Sequence, residues 1–335
     1  MQWIFSNEHR WAVILAGGEG VRLRTLTQFV SGDDRPKQFC SFLGERSLLA
    51  QTRDRVGRCI PEDNSLFVLL QSHELFYERE LKGVPPARLV EQPSNRGTLP
   101  GVLSALFRIR RLDPRAVVAF FPSDHHYRDE DNFLAGVDLA FGCAEKNRDS
   151  VVLIAAPASY PATDYGWIEA VAGVSGYSGT DLLKVRRFWE KPTLEVAQAL
   201  LERGCVWNTF VMVGTAEAFL CAIESATPDI YSAFESLQES DCLEDEARMA
   251  RTIYAGIPTC DLSKCVLARV PERLGVFCLG DVGWSDLGNP ERLVEVVRRI
   301  GEPSDWLNEW RETNRPSLAK GPAGESKASP ATASA

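Results

Sequence analysis

The stretch WAVILAGGEGVRLR, residues 11–24, passes from an unbroken apolar run straight into a glycine-rich loop. Trp11–Ala16 has the length and continuous apolarity of a strand buried on both faces, the pattern of a parallel sheet. The glycines at 17, 18 and 20 lack Cβ atoms and let main-chain N–H groups approach an anion. Arg22 adds a planar, permanently charged fork suited to phosphate oxygens. Leu15, Ala16, Gly17, Gly18, Glu19, Gly20 and Arg22 are therefore candidate phosphate-loop residues, joined by Lys37 from Arg35-Pro36-Lys37. Between them, polar Thr27–Asp34 with Gly32 reads as a mobile flap. The spacing is not that of a Walker A loop. The dinucleotide fingerprint fails too, because Leu23 stands where its last glycine belongs.

Outward from this loop, strand-length apolar runs alternate with helical periodicity. Strands are predicted at Leu66–Gln71, Arg88–Glu91, Ala116–Phe121 and Val151–Ala156, and helices at Leu48–Ile60, Thr98–Leu112 and Asn132–Lys146. The second half is more mixed, with strands at Trp167–Val171, Leu182–Trp189 and Val206–Val213 and helices at Thr193–Arg203, Ala216–Glu224 and Asn289–Ile300. The alternation predicts an α/β, Rossmann-like, mixed but mostly parallel sheet flanked by helices. Residues 1–300 read as the catalytic unit and 301–315 as a helical extension. Residues 316–335, almost without large apolar side chains, read as a disordered tail.

The formal net charge of -9 gives no basic excess of the kind nucleic-acid binders carry. No apolar run approaches the ~18 residues of a membrane helix. The first ten residues lack the profile of a secretory leader. The nine cysteines are scattered, with no C-x-x-C pair, which predicts reduced thiols and a cytoplasmic protein.

Two aspartates stand out. Asp124 follows Ala116–Phe121, just past the carboxyl end of a predicted parallel strand, where open α/β sheets bind ligands. Asp286 lies in Gly283-Trp284-Ser285-Asp286-Leu287-Gly288. His125 and His126 have no accompanying cluster with metal-ligand spacing and read as local structure.

The motif G-G-x-G-x-R-L followed by Pro36-Lys37 resembles the signature of the nucleotide-sugar pyrophosphorylases. Within that family, PKQF and SLLAQTRDRV most resemble the mannose-1-phosphate guanylyltransferases. The resemblance implies the nucleotide-diphospho-sugar transferase fold, here with too few residues left for a large C-terminal β-helix domain. It makes the glycine loop, Lys37, Gln92, Gly97 and Thr98 nucleotide-binding residues, and Asp124 and Asp286 the holders of Mg²⁺. Tyr165 and Gly166 match the family's Y-G-x-I-E strand, Glu190 and Lys191 its F-x-E-K-P, and Asn208 the start of W-N-x-G-x-F. The implied roles are sugar hydroxyl acceptor for Glu190, phosphate partner for Lys191, and pocket wall for Asn208 and Gly166. Gln92 and Gly97 also resemble the thymidylyl- and uridylyl-transferring relatives, so the base is open.

The implied reaction is Mg²⁺-dependent attack of a sugar-1-phosphate, best matched by mannose-1-phosphate, on a nucleoside triphosphate, best matched by GTP. Arg22, Lys37, Asp124, Lys191 and Asp286 are the implied catalytic residues. The expected partners are these two small molecules, with no nucleic acid and no membrane, in a chain that can form a homo-oligomer. A non-catalytic nucleotide-sugar sensor on the same fold is the alternative.

Overall fold

The computed structural model describes residues 8–171, 182–301 and 305–313. The tail predicted for residues 316–335 lies outside the described residues. The framework is a nine-stranded sheet. In chain order its strands are β1 (Arg10–Leu15), β2 (Ser65–Leu70), β3 (Leu89–Gln92), β4 (Val117–Pro122), β5 (Val151–Ala156), β6 (Gly166–Ala170), β7 (Leu183–Glu190), β8 (Val206–Thr215) and β9 (Leu274–Cys278).

The spatial order is β3-β2-β1-β4-β8-β5-β9-β7-β6, with a further pairing of β8 to β6. Pairs β3–β2, β2–β1, β1–β4 and β5–β9 are parallel. β7 and β8 run against all the other strands, so the sheet is mixed, with one dominant direction. β9 is absent from the strands expected of the sequence: Leu274–Cys278 is short and contains Gly275, which reads as a loop signal. It forms because β5 offers a parallel edge, and because Leu182 fills the space a Cβ at Gly275 would take, within 2.6 Å.

Side-chain alternation explains the layers. On β4, Val118 and Phe120 face one apolar core with helix Thr98–Leu112. Val117, Ala119 and Phe121 face the other, with helix Glu130–Lys146. Burying a side chain such as Phe120 contributes roughly 1.5–3 kcal/mol.

The segment after the glycine loop departs from expectation. Arg24–Ser31 is a helix rather than a mobile flap, ended by Gly32 in the left-handed conformation. Its buried Leu26 joins a third core with Leu287, Leu293, Val297 and Leu307, the last three from helices Pro290–Ile300 and Asp305–Thr313. Phe29 meets Trp310 edge-on at 5.2 Å. Among the described residues, no helix is long and apolar enough to cross a membrane.

Candidate active site

The carboxyl ends of β1, β3 and β4, together with the β6–β7–β8 corner, border one cleft of about 430 Å³. Its walls include Gly17, Gly18 and Arg22 from the glycine loop, Gln92 at the end of β3 with Gly97 and Thr98 after it, and Asp124 beyond β4. Tyr165, Gly166, Glu190, Lys191, Asn208 and Asp286 complete them. Residues more than 200 apart in sequence thus share one cavity. Leu15 also borders it, whereas Ala16 is fully buried behind it and Glu19 points to solvent.

The loop is held from below. Gln38 donates its side-chain amide to the carbonyls of Ala16 (2.9 Å) and Gly18 (2.8 Å). Gly20 adopts a left-handed turn, where a Cβ would stand 3.0 Å from the main-chain nitrogen of Lys37. Gln92 is buried between Gly17 and Gly101; a Cβ on either glycine would come within 2.9 Å of its amide. Tyr254 donates its hydroxyl to Gln92 at 3.2 Å, a support with no signature in the sequence.

Lys37 does not line the cleft. Its ammonium lies 3.1 Å from Asp124 Oδ2 and donates to the carbonyls of Asp286 (2.5 Å) and Leu287 (3.2 Å). Its three donor positions are therefore committed within the protein. In this arrangement the lysine links the two aspartate segments. A short β-bridge between His126 and Ser285 makes the same link in the backbone. On the other side, Ser123 donates its hydroxyl to Leu15 at 2.7 Å, tying Asp124 to the end of β1.

Asp286 is enclosed. Burial opposes its charge, but Arg292 and Lys37 outweigh burial and hold its carboxyl below the ordinary range. Tyr165 donates to its Oδ1 at 3.1 Å and the Gly288 N–H at 2.9 Å.

His125, read from sequence as local structure, lines the cleft. Burial lowers its pKa to about 4, so it is neutral at pH 7. The Trp284 indole donates to its Nδ1 at 3.2 Å, which leaves the ring proton on Nε2, 3.9 Å from Asp124 Oδ1.

At the β6–β7–β8 corner, Gly166 pairs with Glu190 across the strands. A Cβ on Gly166 would meet Phe188, Glu190 Oε2 (3.2 Å) and Asn208 (3.3 Å). Burial, and then the charge of Asp261, raise the Glu190 pKa, with Lys191 at 3.4 Å opposing them. A bulge in β8 leaves Thr209 and Phe210 unpaired, with Phe210 at φ 62°. Among the described residues, the non-glycine residues at positive φ are Lys191, Phe210 and Leu287. Each lies in the site or within two residues of one of its members, and such strain persists only where surrounding structure enforces it.

Asp261 and Ser263 also enter the cleft, and no sequence motif marks them. Their segment is strapped to the Gly97 turn: Cys260 accepts from the Leu99 N–H at 3.1 Å and donates to the Arg96 carbonyl at 2.8 Å. Cys260 and Cys265 stand sulfur to sulfur across one turn. The turn between them brings their Cα atoms to 6.3 Å, within bonding reach.

The chain belongs to the nucleotidyl transferase family, whose description matches residues 11–302. It is 29% identical over 294 residues to the xanthan biosynthesis protein XanB of Xanthomonas campestris pv. campestris (strain B100), covering 87% of this chain and 60% of that protein. It is 30% identical over 285 residues to a mannose-1-phosphate guanylyltransferase of Sinorhizobium fredii (strain NBRC 101917 / NGR234), covering 82% of this chain and 52% of that one. The chain thus spans between half and two thirds of the length of these relatives. A solved structure described as mannose-1-phosphate geranyltransferase from Thermus thermophilus superposes with a TM-score of 0.72 at 25% identity, over 88% of this chain and 80% of that one. A UDP-glucose pyrophosphorylase in complex with UDP-glucose shares the fold, with a TM-score of 0.52 at 14% identity over 87% of this chain and 98% of that one.

Proposed function

We propose that this chain is a sugar-1-phosphate nucleotidyltransferase, taking GTP and mannose-1-phosphate to GDP-mannose and pyrophosphate. The observation that carries the reading is the shared cleft, which brings the glycine loop and Arg22, Glu190, Lys191 and Asn208, and Asp124 and Asp286 into one lining. The relatives named for mannose-1-phosphate guanylyl transfer support the choice of substrates.

The donor set fits Mg²⁺, which prefers oxygen ligands and is commonly held by one or two carboxylates plus substrate phosphates. Asp124 and Asp286 would hold it, and among the described residues no cluster of three acidic, His or Cys side chains offers a competing, fully protein-built cage. When bound, the ion supplies charge neutralisation between the phosphates.

In the reaction, a phosphate oxygen of the sugar-1-phosphate forms a bond to the α-phosphorus of the triphosphate. The bond from that phosphorus to the bridging oxygen breaks, and pyrophosphate leaves with its electron pair. The nucleophile is already an anion, so no general base is needed. Lys191 aligns the sugar phosphate, Glu190 and Asn208 orient the sugar, and Arg22 with the glycine-loop amides neutralises the leaving group. Lys37 works through Asp124, whose carboxylate it holds in place.

The test is pyrophosphate release with Mg²⁺, four nucleoside triphosphates and a panel of sugar-1-phosphates. GTP with mannose-1-phosphate is the pair expected to react fastest. No release with any pair overturns the reading in favour of a nucleotide-sugar sensor. A different base is the second reading, favoured by Gln92 and Gly97 both lining the cleft, and the same panel decides it.

A further inference from the structure

Arg292 is absent from every motif that pointed to the site. It sits in the first turn of helix Pro290–Ile300, where Asn289 caps the helix by accepting its N–H at 2.8 Å. That cap fixes the backbone from which the side chain reaches back towards Asp286. One guanidinium nitrogen donates to Asp286 Oδ1. The other donates to both oxygens of Asp164, at 3.1 and 3.0 Å. The guanidinium also lies over the Tyr165 ring, 4.5 Å from its centroid, and the Tyr165 hydroxyl meets the same Asp286 oxygen at 3.1 Å. Arg292 and Asp286 side chains are only 15% and 13% exposed.

This is a closed frame. Asp286 Oδ1 takes three donors, from Arg292, Tyr165 and the Gly288 N–H. Only Oδ2 is left without one, and it borders Gly288, where a Cβ would collide with it. Asp164, immediately before Tyr165 and Gly166, anchors the other end of the frame. Its remaining partner is the exposed Arg22 of the glycine loop, at 3.4 Å.

We propose that Arg292 and Asp164 form a strut that positions Asp286 and the Tyr165-Gly166 sugar wall relative to each other. Arg292 is a positioning residue, not a catalytic one: it lies outside the cleft lining and acts through Asp286, Asp164 and Tyr165. A planar fork suits this work because it grips two carboxylates at once, which an ammonium on a flexible stem does poorly. The proposal rests on the nucleotidyl-transfer reading of the cleft and adds a specificity to it. The strut serves the Tyr165-Gly166 wall directly and reaches the glycine loop only through the exposed Arg22–Asp164 contact, whereas Gln92, Gly97 and Thr98, the proposed nucleotide-binding residues, lie outside it.

The experiment compares wild type, Arg292→Gln, Arg292→Lys and Asp164→Asn in the full chain, with both substrates varied and melting temperatures recorded. For Arg292→Gln, kcat is expected to fall about 100-fold, the loss typical of a reacting group displaced by about 1 Å. KM for the sugar-1-phosphate rises several-fold, while KM for the triphosphate stays within about twofold. Arg292→Lys recovers part of kcat, and Asp164→Asn moves the same two parameters in the same direction by less. Unchanged kcat and KM values per folded molecule, with only a lower melting temperature, would make Arg292 a structural residue and overturn the proposal. An equal rise in both KM values overturns it as well. If Arg292→Gln does not fold, Arg292→Lys carries the same comparison. Calorimetric titration with the nucleotide-sugar product separates this idea from the reading beneath it. A wild type that binds the product without turnover removes the catalytic reading, and a tenfold or greater weakening of that binding in Arg292→Gln still supports the strut, whereas unchanged binding overturns it.

Discussion

Lys37 Nζ lies 3.1 Å from the carboxylate of Asp124 and donates to the main-chain oxygens of Asp286 and Leu287. One buried ammonium therefore joins the strand end that carries one proposed metal ligand to the loop that carries the other. The pair is part of the frame of the site.

Replacing Lys37 by Met leaves Asp124 and two main-chain carbonyls without their cation. Breaking such a pair on one side costs about 3–5 kcal/mol when fully buried, and about 2–3 kcal/mol is expected here because Asp124 is 26% exposed. Urea unfolding measures it. A midpoint equal to wild type would remove Lys37 from the frame.

Asp124→Ala and Asp286→Ala should each abolish Mg²⁺-dependent pyrophosphate release, a drop of roughly 10³-fold or more by the scale of lost transition-state charge stabilisation. Near-normal turnover in either variant would sink the assignment of both aspartates.

Two glycines separate ligand approach from fold. An alanine Cβ at Gly18 meets nothing within 4 Å, so Gly18→Ala should retain stability within about 1 kcal/mol while raising the KM for the triphosphate. At Gly97, φ is +84° and a Cβ would collide with the Cys260 carbonyl. Gly97→Ala should therefore lose about 1–3 kcal/mol through backbone strain alone, with further loss from the clash. Thermal melts of the two proteins compare them directly, and a stable Gly97→Ala would mean that the Cys260 strap gives way.

Stability should fall on acidification before most carboxylates titrate. Burial lowers His125 and His126 from 6.5 to about 4 in the folded chain. Between those values the unfolded chain holds the extra protons, so stability rises with pH across the window and is lost as pH falls from about 6.5 towards 4. Each histidine contributes on the order of 2–3 kcal/mol. Asp286, with its lowered pKa, adds loss in the same direction at lower pH. Glu190, whose pKa burial raises, acts the other way and loses stability as pH rises through its folded value. The check is a melting series from pH 7 to 4.5 in buffer free of divalent cations. His126→Asn should flatten the slope, and an unchanged slope would contradict the assignment.

Much of the site is legible because its residues stand in short motifs whose chemistry is local. Gly17, Gly18, Arg22, Asp124, Gly166, Glu190 and Asn208 are marked this way, and all border the cleft. Lys37 is marked too, but not its direction, since a Pro-Lys pair does not reveal which carboxylate the lysine will meet. Asp164 and Arg292 are illegible: each alone looks like an ordinary solvated charge, and their partnership spans 128 positions. The Arg24–Ser31 helix is hidden by its polar composition, because the aromatic surface that covers it comes from Trp310 near the end of the described chain.

The glycine loop after an apolar strand, the alternation of βα units and the placement of Asp124 at a strand end follow from the sequence itself, because backbone sterics and side-chain periodicity act over a few neighbouring residues. Tertiary structure alone decided that Lys37 faces two aspartate segments, that Arg292 braces Asp286 against Asp164, and that Cys260 straps the Gly97 turn. Those outcomes depend on charges and carbonyls brought together through space, and their strength falls off with a distance that sequence separation does not encode.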